Sequence, residues 1–465
     1  MDSLKLAEML DAIRSGEPNI HSILIIRHGV LIMEAYFDPF HAEAPHELAS
    51  CTKSVTSALV GIAIDKGLMK GASQPAYELF PEVILDDERK QEITVENLLT
   101  MTSGLEWPEW EHEYRSPVNP YSATTYMPDS AQYFFDQPLI EQPGVKFNYN
   151  SGGSHMLSVM VSRAADMSTL EFARRELFTP LGISVVQWPK AEDGVNLGGS
   201  GMRLLPRDMA KFGQLYLQKG QWDGRQVISE AWVNASTQPH SSPEAGMNYG
   251  YQWWIPQDKG YLAMGWGQQN IWVLPEQDLV VVITAGMKND LLLPHAKIID
   301  QYILPAVKSD SSLPPDPQGE AQLAAELFSA QYPAPQLVKP LPPIASQIVG
   351  KTYLVTGSSI TLGLQSFLIE KFTDTEMLID VSLTHEDLKL RAGLDGVFRR
   401  SPTETGEIAL QAYWEGEKTL VLTWQNLQSA EHALIHITFQ GNDLVVTVDL
   451  YVEGISETSD GTLLN

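Results

Sequence analysis

The chain has 465 residues, of which 43% are hydrophobic and 19% are charged, a globular composition long enough for two or three domains. Its formal net charge of -27 would repel phosphate backbones and argues against a nucleic-acid partner. A single cysteine, Cys51, excludes an internal disulfide and a cysteine-based metal cluster.

The first predicted elements are a helix and a hairpin. A helix is expected at Ser3–Ser15, and two apolar runs, Ser22–Arg27 and Val30–Phe37, meet across a His-Gly pair that is typical of a β-hairpin. The first eight residues carry acidic side chains and lack the apolar core of a secretion signal. No stretch has the apolar length that crosses a bilayer, so we expect a cytoplasmic protein with no membrane partner.

The next element carries the first candidate for chemistry. Apolar residues recur at the spacing of one helix face at Val55, Ala58, Leu59 and Ile62, which predicts a buried helix that begins near Ser50. Lys53 then lies one turn after Ser50 on the same side, where its ammonium group can reach the serine hydroxyl. A serine needs such a base or cation to act as a nucleophile at neutral pH. Without further context, the spacing is more often that of a capping serine followed by a solvated lysine.

The middle of the chain mixes helices and strands. Short helices and loops are predicted for residues 68–139, and Tyr149-Asn150-Ser151 precedes two glycines at the entrance of another helix. Further helices are predicted at Thr169–Leu177, Pro206–Leu217, Glu230–Ser236 and Leu292–Val307, and strands at Tyr261–Met264, Asn270–Leu274 and Leu279–Thr284. Strands near both ends with helices between them predict one antiparallel sheet with a helical insertion.

The last third of the chain has a different pattern. A proline-rich connector at residues 309–345, interrupted by one short helix, separates a first domain at 1–308 from a third region at 346–465. Apolar and polar residues alternate beyond it at Ile360–Glu370, Glu376–Leu383, Asp387–Arg391, Ile408–Tyr413, Thr419–Trp424, His432–Phe439 and Leu444–Tyr451. This predicts an all-β accessory domain, either a barrel or a curled sheet.

Three sequence pieces in this order carry a family resemblance. They are Ser50-Cys51-Thr52-Lys53, Tyr149-Asn150-Ser151 and Ala263-Met264-Gly265-Trp266-Gly267. Together they resemble the serine β-lactamase and penicillin-binding-protein superfamily, most closely its class-C-like branch of cytoplasmic esterases and 6-aminohexanoate-dimer hydrolases. The likeness covers roughly residues 20 to 305. It implies an α+β fold with an antiparallel sheet flanked by helices and a helical subdomain, to which the C-terminal all-β domain is added.

The resemblance also implies a role for each motif residue. Ser50 is the acylated nucleophile, Lys53 is its proton partner, and Tyr149 moves a proton to the leaving group. Asn150 and Ser151 support them, and we expect Ser151 to bond Lys53 or the substrate. The backbone amides of Ser50 and Trp266 would form an oxyanion hole, beside a close approach of the strand at Gly265. No metal or other cofactor is implied.

Two physical expectations accompany this assignment. Burial would lower the pKa of Lys53, and the charge of Lys53 would lower the pKa of the Tyr149 phenol. Five aromatic residues, equally interpretable as core, are candidates for the walls of a substrate pocket: Trp107, Trp110, Tyr121, Tyr126 and Trp266.

The third motif departs from the superfamily pattern. Relatives that act on penicillins carry a cation where this chain has Ala263 and Met264, although a shift of one or two residues along the motif is an open alternative. The leading hypothesis is therefore a serine hydrolase of small esters or amides. The alternatives are a catalytically silent binding protein on the same fold and, less favoured, a penicillin-recognising enzyme. A metal hydrolase is disfavoured, because His432 and His436 fall in a predicted strand about 13 Å apart. The oligomeric state is left open.

Overall fold

The structure is a computed structural model that describes residues 1–16, 19–243, 246–288, 294–356, 363–404 and 406–464. The chain forms two compact units. One consists of residues 1–23, 34–46 and 283–465, and the other of residues 24–33 and 47–282. We call them the barrel unit and the Ser50 unit.

The regular elements are numbered in chain order. The α-helices are α1 Ser3–Ser15, α2 Thr52–Asp65, α3 Val95–Leu99, α4 Pro120–Tyr126, α5 Ser130–Asp136, α6 Ser151–Ala165, α7 Thr169–Ala173, α8 Pro206–Leu217, α9 Glu230–Ser236, α10 Pro294–Ile298, α11 Leu304–Ala306, α12 Pro317–Gln331 and α13 Ala345–Ile348. The strands up to residue 285 are β1 Ile20–Arg27, β2 Val30–Tyr36, β3 His46–Glu47, β4 Val186–Gln187, β5 Arg203–Leu204, β6 Gln221–Trp222, β7 Arg225–Gln226, β8 Met247–Tyr249, β9 Trp254–Pro256, β10 Tyr261–Gly265, β11 Gln269–Leu274 and β12 Leu279–Ala285. The later strands are β13 Thr352–Thr356, β14 Leu364–Phe372, β15 Glu376–Leu383, β16 Asp387–Gly393, β17 Arg399–Pro402, β18 Glu407–Glu415, β19 Thr419–Asn426, β20 His432–Gln440, β21 Asp443–Leu450 and β22 Ile455–Leu463.

In the part of the chain that the structure describes, the main sheet has seven strands, of which β8 to β11 lie entirely in the Ser50 unit. Its strand order is β2-β1-β12-β11-β10-β9-β8, and the pairs between β8 and β11 are antiparallel. Strand β11 is buried along its whole length, as expected for a strand covered on both faces. Helix α8 begins with Pro206, which suits the first helical position because its missing N–H has no intrahelical partner there.

Helix α2 is the buried helix predicted after Ser50. Every residue from Thr52 to Ala63 is buried, including several polar ones. Gly61 faces the ring of Trp232 so closely that an added Cβ would lie 2.4 Å from it. The helix therefore packs against neighbours all round its circumference.

The C-terminal strands form a closed barrel in the barrel unit. Within the described residues, the strand order is β16-β15-β14-β13-β22-β21-β20-β19-β18-β17, and a parallel pairing of β16 with β18 closes the ring. Side chains alternate between buried and half-exposed along β20 and β21, so one face of each strand lines the interior. The interior cluster is apolar and includes Tyr353, Phe367 and Phe439.

The predicted fold class is confirmed: an α+β region with an antiparallel sheet and helices is followed by an all-β barrel. The bounds predicted for α1, α8 and α9 agree with the structure. Residues 360–362 of one predicted strand and 292–293 of one predicted helix lie outside the described residues. The domain division at residues 308 and 345 stays a prediction.

Three barrel strands were missed, and one helix was longer than expected. Strands β13, β17 and β22 carry a weak apolar alternation; β22, for example, reads ISETSDGTL, yet it pairs with a neighbour on both sides. Backbone hydrogen bonds on two edges hold such a strand in place regardless of its side chains. The connector helix α12 has 15 residues. Among the described helices, none combines the length and apolarity that a membrane span requires.

Candidate functional site

Ser50 lies in a short 3₁₀ turn, Ala49–Cys51, that leads directly into α2. Ala49 has a φ of +45°, in the left-handed region that residues other than glycine rarely adopt. Lys53 follows in the first turn of the helix, where its Nζ donates to Ser50 Oγ at 3.0 Å. The lysine and the serine therefore share one side of the helix start.

Lys53 is a buried cation with few partners. Its side chain is 2% exposed, and besides Ser50 its Nζ donates to the Gly199 carbonyl at 2.8 Å. Burial lowers the pKa of Lys53 to about 8, and the charge of Glu109 opposes that shift. A substantial fraction of the neutral amine is therefore present at mildly alkaline pH.

Tyr149 joins the same pair of residues. Its hydroxyl interacts with the Ser50 side chain, and its ring centroid lies 4.8 Å from Lys53 Nζ. The pKa expected for this phenol was wrong in direction: burial, together with the nearby charge of Glu109, raises the pKa of Tyr149, and the interaction with Ser50 offsets only part of this. Tyr149 is thus a neutral phenol across the physiological range.

Glu109 is the main residue of the site that the sequence did not reveal. Its carboxylate is 1% exposed and accepts four hydrogen bonds of 2.5–2.9 Å, from the Trp107 indole, the Tyr114 hydroxyl, and both the backbone N–H and the hydroxyl of Ser151. Ser151 is the first residue of α6, so the carboxylate also sits at the positive end of that helix. A glutamate in a single 3₁₀ turn of three residues carries no periodic signal, which is why it was missed.

The two residues after Tyr149 have structural partners. Asn150 caps α6, and its side-chain oxygen accepts from the Gly153 N–H at 2.7 Å. Ser151 was expected to bond Lys53 or the substrate. Its hydroxyl instead donates to Glu109, because the loop that follows Trp107 brings the carboxylate against the helix start.

Strand β10 runs against the Ser50 turn at Gly265. A Cβ added there would lie 2.3 Å from the Leu48 carbonyl oxygen and 3.0 Å from the Ser50 nitrogen, so only glycine permits this approach. Gly265 is the last residue of β10 and pairs with Gln269, and Trp266 is half-buried in the turn between them. This register favours Ala263-Met264-Gly265 as the third motif.

The sequence also did not reveal the residues that position the Gly199 carbonyl, which accepts a hydrogen bond from Lys53. The loop at Gly198–Gly199 passes so close to α6 that a Cβ on Gly198 would lie 2.1 Å from the Ser154 oxygen. The Gly198 N–H donates to Nδ1 of buried His155, and Nε2 of His155 lies 2.8 Å from an oxygen of Asp193. An accepting Nδ1 assigns the ring proton to Nε2, which donates to the carboxylate.

The aromatic candidates occupy three kinds of environment. Trp107 is 2% exposed and packs against Gly152 and Phe134, which favours its interpretation as core. Tyr121 is buried beside the site, with its hydroxyl 2.6 Å from that of Ser200 and its ring centroid 5.9 Å from Lys53 Nζ.

Trp110 is 62% exposed and stacks on Tyr149, with ring centroids 5.0 Å apart. Tyr126 is 71% exposed. Of the candidates for pocket walls, Trp110 is therefore the one that presents an open face next to the Tyr149 ring.

The arrangement provides a hydroxyl, an amine and a phenol around one point. Together, these three side chains can activate the serine, protonate a leaving group and form a covalent intermediate on the serine. Among the described residues, no set of three or more His, Cys, Asp or Glu side chains is arranged to hold a metal ion.

Comparison with known proteins gives a family and several relatives. Residues 21–292 match the family model described as Beta-lactamase. The chain is 26% identical over 340 residues to the 6-aminohexanoate-dimer hydrolase of Paenarthrobacter ureafaciens. This match covers 63% of this chain and 84% of the relative. It is 28% identical over 161 residues to the lovastatin esterase of Penicillium rubens, which covers 30% of this chain and 39% of that enzyme.

One solved structure resembles the chain over nearly its whole length. The octameric penicillin-binding-protein homologue of Pyrococcus abyssi is 15% identical, with a TM-score of 0.52, and the match covers 99% of this chain and 100% of that one. At this identity the similarity concerns the fold alone. It extends through the C-terminal barrel, which the family model does not reach.

Proposed function

The chain belongs to the beta-lactamase family, whose model matches more than half of its length, and on this premise we propose that it cleaves small esters or amides through an acyl-enzyme on Ser50. It is a hydrolase related to the amidases and esterases of that family. The observation that carries the proposal is the 3.0 Å contact between buried Lys53 Nζ and Ser50 Oγ, with the Tyr149 ring centroid 4.8 Å from the same amine.

Acylation begins with attack of Ser50 Oγ on the substrate carbonyl carbon. Neutral Lys53 takes the serine proton, and the negative charge that develops on the carbonyl oxygen is stabilised by the amides of Ser50 and Trp266. When the tetrahedral intermediate collapses, the carbon–oxygen or carbon–nitrogen bond breaks. Tyr149 gives its proton to the departing alcohol or amine and is reprotonated from the Lys53 ammonium group.

Deacylation runs the same proton path in reverse. A water molecule occupies the place of the leaving group and adds to the acyl carbon, while its proton passes through Tyr149 to Lys53. Collapse of the second intermediate frees the carboxylic acid and returns the proton to Ser50. The raised pKa of Tyr149 suits this role, since the phenol serves as a relay and Lys53 as the final base.

The third motif restricts the substrate class. Ala263 and Met264 offer no charge to a substrate carboxylate, whereas relatives with a cation there bind one. The exposed ring of Trp110 beside Tyr149 offers an apolar surface. We therefore expect uncharged esters or amides to be preferred over β-lactams and cell-wall peptides.

The test compares Ser50 with a buried serine, Ser57, in the helix that follows it. Ser50→Ala is expected to abolish both hydrolysis of p-nitrophenyl acyl esters and labelling by a fluorophosphonate. Ser57→Ala is the matched control, because Ser57 is a buried hydroxyl of α2 with no hydrogen-bond partner among the described residues. It is expected to retain both activities. Labelling that persists in Ser50→Ala would refute the proposal, as would a wild-type protein that forms no adduct.

A further inference from the structure

We propose that Glu109 is a positioning residue whose buried carboxylate sets the pH at which Lys53 can accept the Ser50 proton. The inference rests on the proposed function, because it assigns Lys53 as the base. It also rests on the hydrogen bonds of Glu109, which occupy every acceptor position of its carboxylate.

The hydrogen bonds of Glu109 leave it no free capacity for substrate. One carboxylate oxygen accepts two N–H groups, from Trp107 and the Ser151 backbone, and the other accepts two hydroxyls, from Tyr114 and Ser151. A carboxylate has about four acceptor positions, and here all four are used. Glu109 is therefore neither a general base for water nor a ligand for a substrate amine.

The same contacts surround the Glu109 carboxylate with hydrogen-bond donors. Two of the donors are N–H groups, which cannot reverse their role, and the start of α6 contributes its positive dipole end. The carboxylate is thus held in one place within the buried site. Burial without such a network would be costly for a carboxylate.

Glu109 acts on both proton-transfer groups. Ser151, which donates to Glu109, packs against Gly199, where an added Cβ would lie 3.0 Å from the Ser151 oxygen, and the Gly199 carbonyl accepts from Lys53 Nζ. At this short range the charge of Glu109 raises the pKa of Lys53 against the effect of burial, and it raises the pKa of Tyr149 in addition to that effect. Both groups are thereby kept protonated to higher pH. The amine is released as a base only as the pH approaches about 8.

The other titratable groups that face Lys53 do not provide this charge. They are Cys51, Tyr121 and Tyr149, and burial raises the pKa of each, so that all three are neutral at physiological pH. Glu47 raises the pKa of Tyr121, and the positive charge of Arg203 lies close to Glu47. Glu109 is therefore the acidic group that the described surroundings of Lys53 supply.

Glu109→Gln is the informative variant because the site can accept an amide. The amide oxygen can take the place that receives the two N–H donors. The amide NH₂ group then faces two hydroxyls, of Tyr114 and Ser151, and a hydroxyl can accept as well as donate. The substitution removes the charge while all four hydrogen bonds can be kept.

The measurement is the rate of fluorophosphonate labelling of Ser50 in the full-length protein between pH 6 and pH 10. In the wild type we expect the rate to rise with a midpoint near 8, set by Lys53. In Glu109→Gln the midpoint is expected to fall by about one pH unit or more, so that the ratio of variant to wild-type rate rises about tenfold from pH 9 to pH 6.

Three control variants separate charge from structure. Glu111→Gln removes an exposed carboxylate from the same short turn and should leave the midpoint unchanged. Tyr114→Phe removes one hydrogen bond to Glu109 and keeps the charge. It is expected to alter the labelling rate but, unlike Glu109→Gln, to leave the midpoint where it is in the wild type. Glu109→Asp also keeps the charge and is expected to keep the midpoint within about half a unit of the wild type.

The possible failures are distinguishable. A wild type that is not labelled at Ser50 would overturn the proposed function itself. Labelling with the same midpoint in Glu109→Gln as in the wild type would overturn only the role of Glu109. If Glu109→Gln does not fold, Glu109→Asn is the second uncharged variant. Misfolding of both alongside a folded Glu109→Asp would show that the charge serves folding, and the inference would be withdrawn.

Discussion

The C-terminal barrel and the helix that follows Ser50 bury their residues in opposite ways. In the barrel, strands such as β20 and β21 alternate between buried and half-exposed positions, and the interior is an apolar cluster. In α2, the residues from Thr52 to Ala63 are all buried, and the polar ones among them include Lys53, Ser54 and Thr56. The interior of the first region is mainly apolar, whereas the second buries polar side chains among its apolar ones.

The difference lies in what each region needs in order to be stable. Apolar burial is non-directional, so the barrel depends on volume and pattern. Each buried polar group of α2 needs a specific partner: Ser54 Oγ donates to the Gln252 carbonyl and Thr56 Oγ1 to the Gly198 carbonyl. Substitutions near Ser50 should therefore affect activity more than stability, and substitutions inside the barrel should do the reverse.

Replacing Lys53 by methionine is the strongest test of the first half of that contrast. Loss of the base is expected to lower kcat/KM for p-nitrophenyl acetate roughly 10²–10⁴-fold. The thermal midpoint should change little, because an apolar side chain of similar length fills the space of Lys53 and Glu109 keeps its four hydrogen bonds. A lowered midpoint with nearly full activity would reverse the comparison.

Replacing Phe367 by alanine tests the second half. Phe367 is 2% exposed in the barrel interior and stacks on Tyr353, with ring centroids 5.5 Å apart. The cavity left behind should lower the free energy of unfolding by about 3–5 kcal/mol, measured by urea titration, while turnover per folded molecule is retained. Leu354→Ala, on the neighbouring strand and 37% exposed, is the control and should cost much less. A smaller loss for Phe367 than for Leu354 would contradict the expectation.

Gly265→Ala tests whether the Ser50 region depends on one backbone approach. The new Cβ would clash with the Leu48 carbonyl oxygen, so β10 must move away from the Ser50 turn. We expect kcat to fall about 10²–10³-fold, the loss typical of a damaged oxyanion hole. Gly153→Ala is the control, because its Cβ meets nothing nearer than 3.5 Å, and it should retain turnover. Equal activity of the two variants would place the oxyanion hole elsewhere.

The smallest effect expected is a pH dependence of the barrel unit. Burial lowers the pKa of His432 to about 4. The Nδ1 atom of this histidine lies 3.2 Å from the Asn19 side chain. The pKa of His21 is also lowered, by burial and by the nearby His46. A lowered folded-state pKa gives stability that is present above the ordinary value of about 6.5 and is lost as the pH falls towards 4. Up to about 2 kcal/mol should be lost by pH 5 from His432.

Urea titrations at pH 7 and pH 5 measure this loss. His432→Gln should reduce it, since an amide can still accept from Asn19 and does not titrate. His385→Gln, at an exposed position of the same unit, should leave the loss unchanged. If the His432 variant has the full wild-type loss, the imidazole is not the group responsible.

Part of this architecture could be predicted from the sequence because it depends on contiguous residues. The apolar face of α2, the bounds of α8 and most barrel strands follow from periodicities of 3.6 and 2 residues, which report burial within one segment. The proximity of Lys53 to Ser50 follows in the same way, since three residues make nearly one helical turn. Three short motifs in the right order were enough for the family.

The tertiary structure alone decided which distant groups meet. Glu109 and Ser151 are 42 residues apart, and the carbonyl of Gly199 that accepts from Lys53 is 146 residues away along the chain. Such pairs depend on the path of irregular loops, whose residues show no period. The direction of the Tyr149 pKa was mistaken for the same reason: the family resemblance placed the Lys53 cation next to it, and only the folded chain adds burial and a buried carboxylate. Sequence thus determined the segments and their family, whereas the electrostatics of the site arose from contacts that form only on folding.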